Sequence, residues 1–154
     1  MIKFIAIAIS LLMNNTTPTD FDLIKSNYDK AVYVVRCKID PKPFQEGEDL
    51  RRLYTLNATI IEDYKGKCPN REFLIRYHCD QPITRDTAEQ DMINEGDVIL
   101  YLTEDTEIIK STITRTGEQY AQFEVEEIMH HLIYGEGRMM PYDDELAQFL
   151  INLK

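Results

Sequence analysis

From Ala31 to Asp105 the chain reads as a run of short segments in which apolar and polar residues alternate, with breakers between them. Alternation at period two sends every second side chain to the same face, so each segment buries one side and leaves the other wet. Such segments satisfy their backbones by pairing with one another in an antiparallel sheet. The pattern points to a small β-barrel, a shape that presents binding surfaces and does not by itself imply a reaction.

The first strand is expected over Ala31 to Asp40, with Tyr33, Val35, Cys37 and Ile39 on one face, and Asp40-Pro41-Lys42-Pro43 ends it. Leu53 to Tyr64 is the longest candidate, with Tyr54, Leu56, Ala58 and Ile60 inward and Thr55, Asn57 and Thr59 outward. Lys65 to Asn70 is a turn, and Arg71 to Cys79 returns with Phe73, Ile75, Tyr77 and Cys79 inward. A polar connection follows from Asp80 to Gly96. Asp97 to Thr103 is the most apolar strand and reads as buried on both faces. Glu107–Arg115 and Gln119–Val125 form a hairpin across Thr116-Gly117-Glu118. Met129 to Leu132 has no decisive period, and Gly135, Gly137 and Pro141 mark a loop. Two helices flank the strands. Phe21 to Lys30 is capped by Asp20, and Asp143 to Leu153, capped by Asp143 or Asp144, carries Leu146, Phe149, Leu150 and Leu153 as its apolar stripe.

The chain has 154 residues, enough for one domain with its own core. Met1-Ile2-Lys3 followed by the uncharged Phe4 to Met13 matches the charged and apolar regions of a secretory signal. The stretch is too short to span a bilayer. The alternative reading is a buried strand, because Ile5-Ala6-Ile7-Ala8-Ile9 alternates. The expected organisation is a signal peptide and polar linker over 1–19 and a single domain over 20–154. The mature protein is then secreted or periplasmic, without stable membrane insertion. The formal charge of −10 and the absence of any Lys/Arg cluster argue against a nucleic-acid partner.

Three cysteines, Cys37, Cys68 and Cys79, allow one disulfide among them after export, and spacing does not choose the pair. Buried free thiols are the other reading for Cys37 and Cys79. His78-Cys79-Asp80 places a base, a thiol and a carboxylate in a row, but neighbours on a strand point to opposite faces, so a core role for Cys79 is expected. His130-His131 diverge in the same way and need a third ligand to hold a metal. Glu46-Gly47-Glu48-Asp49 and Glu104-Asp105-Thr106-Glu107 lack the spacing of a calcium loop. Gly135-Glu136-Gly137 lacks the rest of a dinucleotide loop, and the glycosylation sequon Asn57-Ala58-Thr59 sits in a strand. No cofactor, metal site or catalytic set is expected.

Five strands in this order, with a helical connection before the fourth (a helical turn around Thr87 to Ile93), suit a mainly β fold, the five-stranded Greek-key OB-fold barrel, with a short N-terminal and a C-terminal helix. Three segments carry a further resemblance: Ala31-Val32-Tyr33-Val34-Val35 after a short helix, Ile60-Ile61-Glu62-Asp63-Tyr64-Lys65-Gly66, and Asn94 to Leu102. They resemble the netrin-like domains, the group that includes the tissue inhibitors of metalloproteases, over about Phe21 to Val125. The resemblance implies a small secreted binding domain. The inhibitors' N-terminal Cys-x-Cys has no counterpart before Cys37, so their zinc-capping mechanism does not carry over.

The expected binding surface is the Pro41 to Leu50 loop with Glu46, Glu48 and Asp49, the Tyr64 to Asn70 turn with Tyr64 and Lys65, and an exposed Tyr101. The expected function is non-enzymatic, an exported module that binds a protein. One alternative is an acidic antagonist of immunity type that neutralises a toxin or hydrolase, and another is a small metal-dependent enzyme.

Overall fold

The computed structural model describes residues 20–41, 52–79, 96–115 and 121–154. The expected leader and linker, the loop bearing Glu46, Glu48 and Asp49, and the connection 80–95 lie outside the described residues. The order of elements is α1 (Phe21–Lys30), β1 (Tyr33–Pro41), β2 (Arg52–Lys65), β3 (Glu72–Cys79), β4 (Asp97–Arg115), β5 (Ala121–Leu132), β6 (Met139–Pro141) and α2 (Asp144–Asn152).

The fold is mainly β, a six-stranded mixed sheet in the order β1-β2-β3-β5-β4-β6. β1 also pairs with β4, from Tyr33↔Leu102 to Lys38↔Asp97, so five of the strands form a ring. The ring closes through a short parallel seam between β3 and β5, Leu74↔Met129 and Ile75↔His130. All other described pairings are antiparallel.

Two apolar cores lie on opposite faces of this sheet. One gathers Val35, Cys37, Leu56, Ile75, Val98 and Leu100 with their neighbours inside the ring. The other packs Val34, Tyr64, Ile99 and Tyr101 beneath Ile24 of α1 and Leu146 and Leu150 of α2. This explains the unbroken apolar run in the first part of β4. Val98, Leu100 and Leu102 serve the first core while Ile99 and Tyr101 serve the second.

Both helices start as their caps dictate. The Asp20 carboxylate accepts from the Leu23 N–H at 3.0 Å, and Asp143 accepts from Leu146 N–H at 2.7 Å. Asn27, buried under the second core, donates to the Glu136 carbonyl at 3.0 Å and ties α1 to the segment before β6.

Three boundaries differ from expectation. Asp97–Thr103 and Glu107–Arg115 are one strand, because a register shift between Leu102 and Thr106 absorbs the polar tract without a turn. Thr103 Oγ1 accepts from the Asp105 N–H there at 3.2 Å. The return strand of the hairpin reaches Leu132, taking in the stretch without a clear period. Within the expected loop, Met139–Pro141 pairs with β4 at Val98, Ile99 and Leu100.

Candidate binding surface

Tyr64, Lys65 and Tyr101 are brought together by the fold, but beneath the helices. Tyr64 and Tyr101 are both 0% exposed, which corrects the expectation that Tyr101 faces solvent. The cause is the cover: β4 has a helical layer on its outer face, so the alternate residues of that strand are buried too. The Tyr64 hydroxyl donates to Glu62 at 3.0 Å and that of Tyr101 to the Met140 sulfur at 3.7 Å. Burial, first of all, holds both phenols well above their ordinary ionisation range.

Tyr64 reaches the outer core because one register shift between β1 and β2, at Arg36/Cys37, adds a residue on β2 after Ile60, and a second, at Val34/Val35, falls at Tyr64 itself. Each extra residue on β2 shifts the alternation by one. Lys65 then points back to α1. Its ammonium donates to the carbonyls of Tyr28 at 2.6 Å and Ala31 at 2.7 Å, and lies 4.9 Å from the Tyr28 ring centre. A cation at a helix C-terminus satisfies carbonyls that the helix leaves open. Gly66 turns the chain at φ +64, where an added Cβ would stand 2.9 Å from the Val32 carbonyl oxygen and from the Tyr33 ring. The Tyr-Lys-Gly segment therefore docks a helix and makes a turn.

Cys37 and Cys68 are both buried free thiols, which for Cys37 is the second of the two readings left open. The side chains of His78 and Cys79, and all of Asp80, lie outside the described residues. His130 and His131 diverge as expected. His131 is exposed and lies 3.9 Å from Glu107, whereas His130 is 1% exposed against Phe73 (ring centres 4.8 Å) and Tyr33 (6.2 Å).

His130 also meets two residues from the turn before β3, a grouping the sequence reading missed. Its Nε2 lies 3.6 Å from Cys68 Sγ and 3.0 Å from Asn70 Nδ2. The amide donates to Nε2, which leaves the ring proton on Nδ1, an atom with no partner. Burial pushes the Cys68 thiol up, and burial together with His131 pushes the His130 imidazole down. Both groups are thus held neutral. A thiol nucleophile requires the reverse, a stabilised thiolate open to substrate, so this cluster packs the seam of the ring. Strand alternation alone could have turned His130 inward, but nothing local links it to Cys68.

The chemistry-bearing surface lies on the other side of the seam. Beyond His130, β4 and β5 continue as a two-stranded arm paired out to Arg115↔Ala121. Thr106↔His130, Ile108↔Ile128 and Lys110↔Glu126 share one face, so the face that is buried at His130 runs out onto the arm. There Ile108 is 63% and Ile128 37% exposed. On the opposite face Phe123 is 51% exposed. Lys110 pairs with Glu126 at 3.0 Å, a solvated contact worth little. At the root of the arm a groove of about 430 Å³ is lined by residues 57–59 of β2, 72–74 of β3 and 126–128 of β5. Its walls carry Glu72, Glu126 and Glu127 around Phe73, Leu74 and Ile128.

Among the described residues, no group of three or more His, Cys, Asp or Glu side chains is arranged to hold a metal ion. No helix of the described residues is long and apolar enough to cross a membrane. Compared with protein-family models, curated proteins and solved structures, the chain matches none.

Proposed function

We propose that this is a protein-binding module built on an OB-type Greek-key barrel, and that the arm with the groove at its root is its binding surface. The ring order β1-β2-β3-β5-β4-β1, with β3 and β5 parallel, supports the OB reading. The observation that carries the binding assignment is the exposed Ile108↔Ile128 pair at the base of a two-stranded arm. A two-stranded ribbon is marginal in water by itself, and apolar side chains clustered beside a groove mark an interaction site. Acidic residues crowd the arm, with Lys110 and Arg115 the only bases between Glu104 and Glu127, so the matching partner surface is basic. A basic toxin or hydrolase neutralised by an acidic antagonist is one partner of that kind. The apolar Phe4–Met13 stretch supports export, and the Ala31–Val35, Ile60–Gly66 and Asn94–Leu102 segments support kinship with netrin-like domains.

The test is affinity capture from lysate and secreted fractions of the source cells, at low and high salt, with the wild type and with Ile108→Lys. A stoichiometric protein partner retained by the wild type and lost by the variant is expected. A partner retained equally by both would remove the arm from the interface.

A further inference from the structure

The ring of strands is narrowest where it holds a buried imidazole. β3 and β5 meet at Leu74↔Met129 and Ile75↔His130 alone, so His130 belongs to one of the two pairs that close the ring. The other joints of the ring run over longer registers. Around the imidazole, Phe73 of β3 and Tyr33 of β1 meet it edge-on, with ring centres 4.8 and 6.2 Å away. From the turn between β2 and β3, Asn70 Nδ2 and Cys68 Sγ stand 3.0 and 3.6 Å from Nε2. Thr106 is its partner on β4.

No counter-charge waits for a proton here. The acids of the neighbouring elements are held elsewhere: Asp63 of β2 by Arg71 at 2.7 Å, Glu126 of β5 by Lys110 at 3.0 Å, and Glu107 of β4 beside His131 at 3.9 Å. Asp105, next to Thr106, is exposed. Among the described residues no carboxylate bonds to His130, and its Nδ1 is buried without a partner. A proton on Nε2 would face the Asn70 amide donor at 3.0 Å, and the imidazolium would lie uncompensated between aromatic rings. The outer core under the two helices takes no residue from the seam, so the seam can part while that core stays packed. We infer that His130 is a proton-operated latch: protonation opens the β3–β5 seam while the rest of the sheet stays folded. The open seam turns Cys68 and Phe73 toward solvent, beside the groove wall that Phe73 shares with Ile128. This latch stands apart from the binding role of the arm, although it opens onto the same groove.

The sign follows from linkage. In the open state the imidazole returns to its ordinary range near 6.5, and in the closed state burial, with His131, keeps it lower. Opening therefore takes up a proton between those values, and the opening constant rises as pH falls, by up to about tenfold per pH unit.

The test labels the full chain with dithiodipyridine, which reacts with thiols even in mild acid, from about pH 7.5 down to about pH 5. That range stays above the ordinary carboxylate values, so the Asp63–Arg71 pair remains charged. Mass mapping reads the two buried thiols separately. Cys68 reports the seam, and Cys37, in β1 with a strand on each side, reports unfolding of the ring. Rates are divided by that of an unstructured thiol peptide at the same pH. The expected result is that Cys68 is protected near neutral pH and labels faster below about pH 6.5, while Cys37 stays protected. His130→Leu should hold the Cys68 rate flat, and His131→Gln should leave the response intact. Asn70→Asp offers Nε2 an acceptor in place of a donor, so it should pair with the imidazolium and keep the seam shut in acid. That variant tests the latch even if His130→Leu does not fold. Labelling of Cys37 in step with Cys68 would mean that the seam parts only with the whole chain, and would overturn the inference. So would a wild-type Cys68 rate indifferent to pH, or an acid response that His130→Leu or Asn70→Asp retains.

Discussion

Lys65 shows how a residue that looks like a surface contact in the sequence is consumed by the fold. Its ammonium serves two carbonyls at the end of α1, so no free cation remains for a ligand. Lys65→Met retains the stem's packing and leaves those carbonyls to water. It should destabilise the protein by about 1–3 kcal/mol, the worth of hydrogen bonds from a charged donor, read as a lowered urea midpoint at unchanged slope. The thiols of Cys37 and Cys68 belong to the same scale. Both are buried, and burial raises the ionisation of each out of its reactive range. A thiol reagent added to the native protein should leave Cys37 and Cys68 unmodified, and react with both once urea has unfolded it. Mass mapping of the labelled peptides reads the outcome, and fast native labelling of Cys68 would mean that the seam opens.

At the scale of elements, turns and clamps decide where the strands go. Gly66 holds a left-handed backbone with the Val32 carbonyl against its α-carbon, a position that any side chain disturbs. Gly66→Ala should cost at least about 1–2 kcal/mol from the backbone conformation alone, with the 2.9 Å contact to the Val32 carbonyl added. Calorimetry would show the lower melting temperature, and an unchanged one would mean that the turn relaxes freely. On the outer face, Arg36 forms a two-pronged contact with Asp97, Nε to Oδ1 at 3.0 Å and Nη2 to Oδ2 at 2.8 Å, while its guanidinium lies 3.6 Å from the Tyr142 ring centre. Tyr142 N–H donates to the Asp97 carbonyl at 3.0 Å, so one arginine joins β1, the start of β4 and the approach to α2. The Arg36 hydrogen bonds hold the Asp97 carboxyl below its ordinary range. Arg36→Met should destabilise by about 1 kcal/mol, because the pair is partly solvated.

For the whole molecule the seam between β3 and β5 sets the response to acid. His130 sits in it, neutral and buried, with its ionisation pushed below the ordinary 6.5. The unfolded chain therefore binds a proton that the folded chain refuses. The stability this histidine contributes is complete above pH 6.5 and is lost as pH falls through the folded value. Within that window the slope approaches about 1.4 kcal/mol per pH unit. Urea titrations at stepped pH should show it, and His130→Leu should flatten it there. The carboxylate contribution of Asp97 remains in that variant and is lost only below about pH 3.8. A variant as acid-sensitive as the wild type in the upper window would place the proton elsewhere.

Much of the architecture was legible because its causes are local. The caps at Asp20 and Asp143, the alternation of Val35, Cys37 and Ile39, and the doubly apolar Val98–Leu102 run each state a period or a terminus within a few residues. The candidate surface was less legible. The acidic loop with Glu46, Glu48 and Asp49 lies outside the described residues, while Tyr64 and Tyr101 were placed by long-range packing. The register shift after Ile60 carried Tyr64 to the other face, and a helix roof covered Tyr101. The arm was visible as a hairpin, but its length, and the groove at its root, depend on how far β3 and β5 stay paired.

By itself the sequence determined a β-rich chain with a helix at each end, where each helix starts, and which strand is buried on both sides. Hydrophobic period and capping chemistry act over a few residues, so one chain segment contains all the information they need. Only the tertiary structure decided which strands close the ring, that His130 meets a cysteine 62 positions away, and that two parallel edges part to leave a groove. Those outcomes depend on pairing between segments far apart in the chain, and a strand's period is the same whichever neighbour it finds.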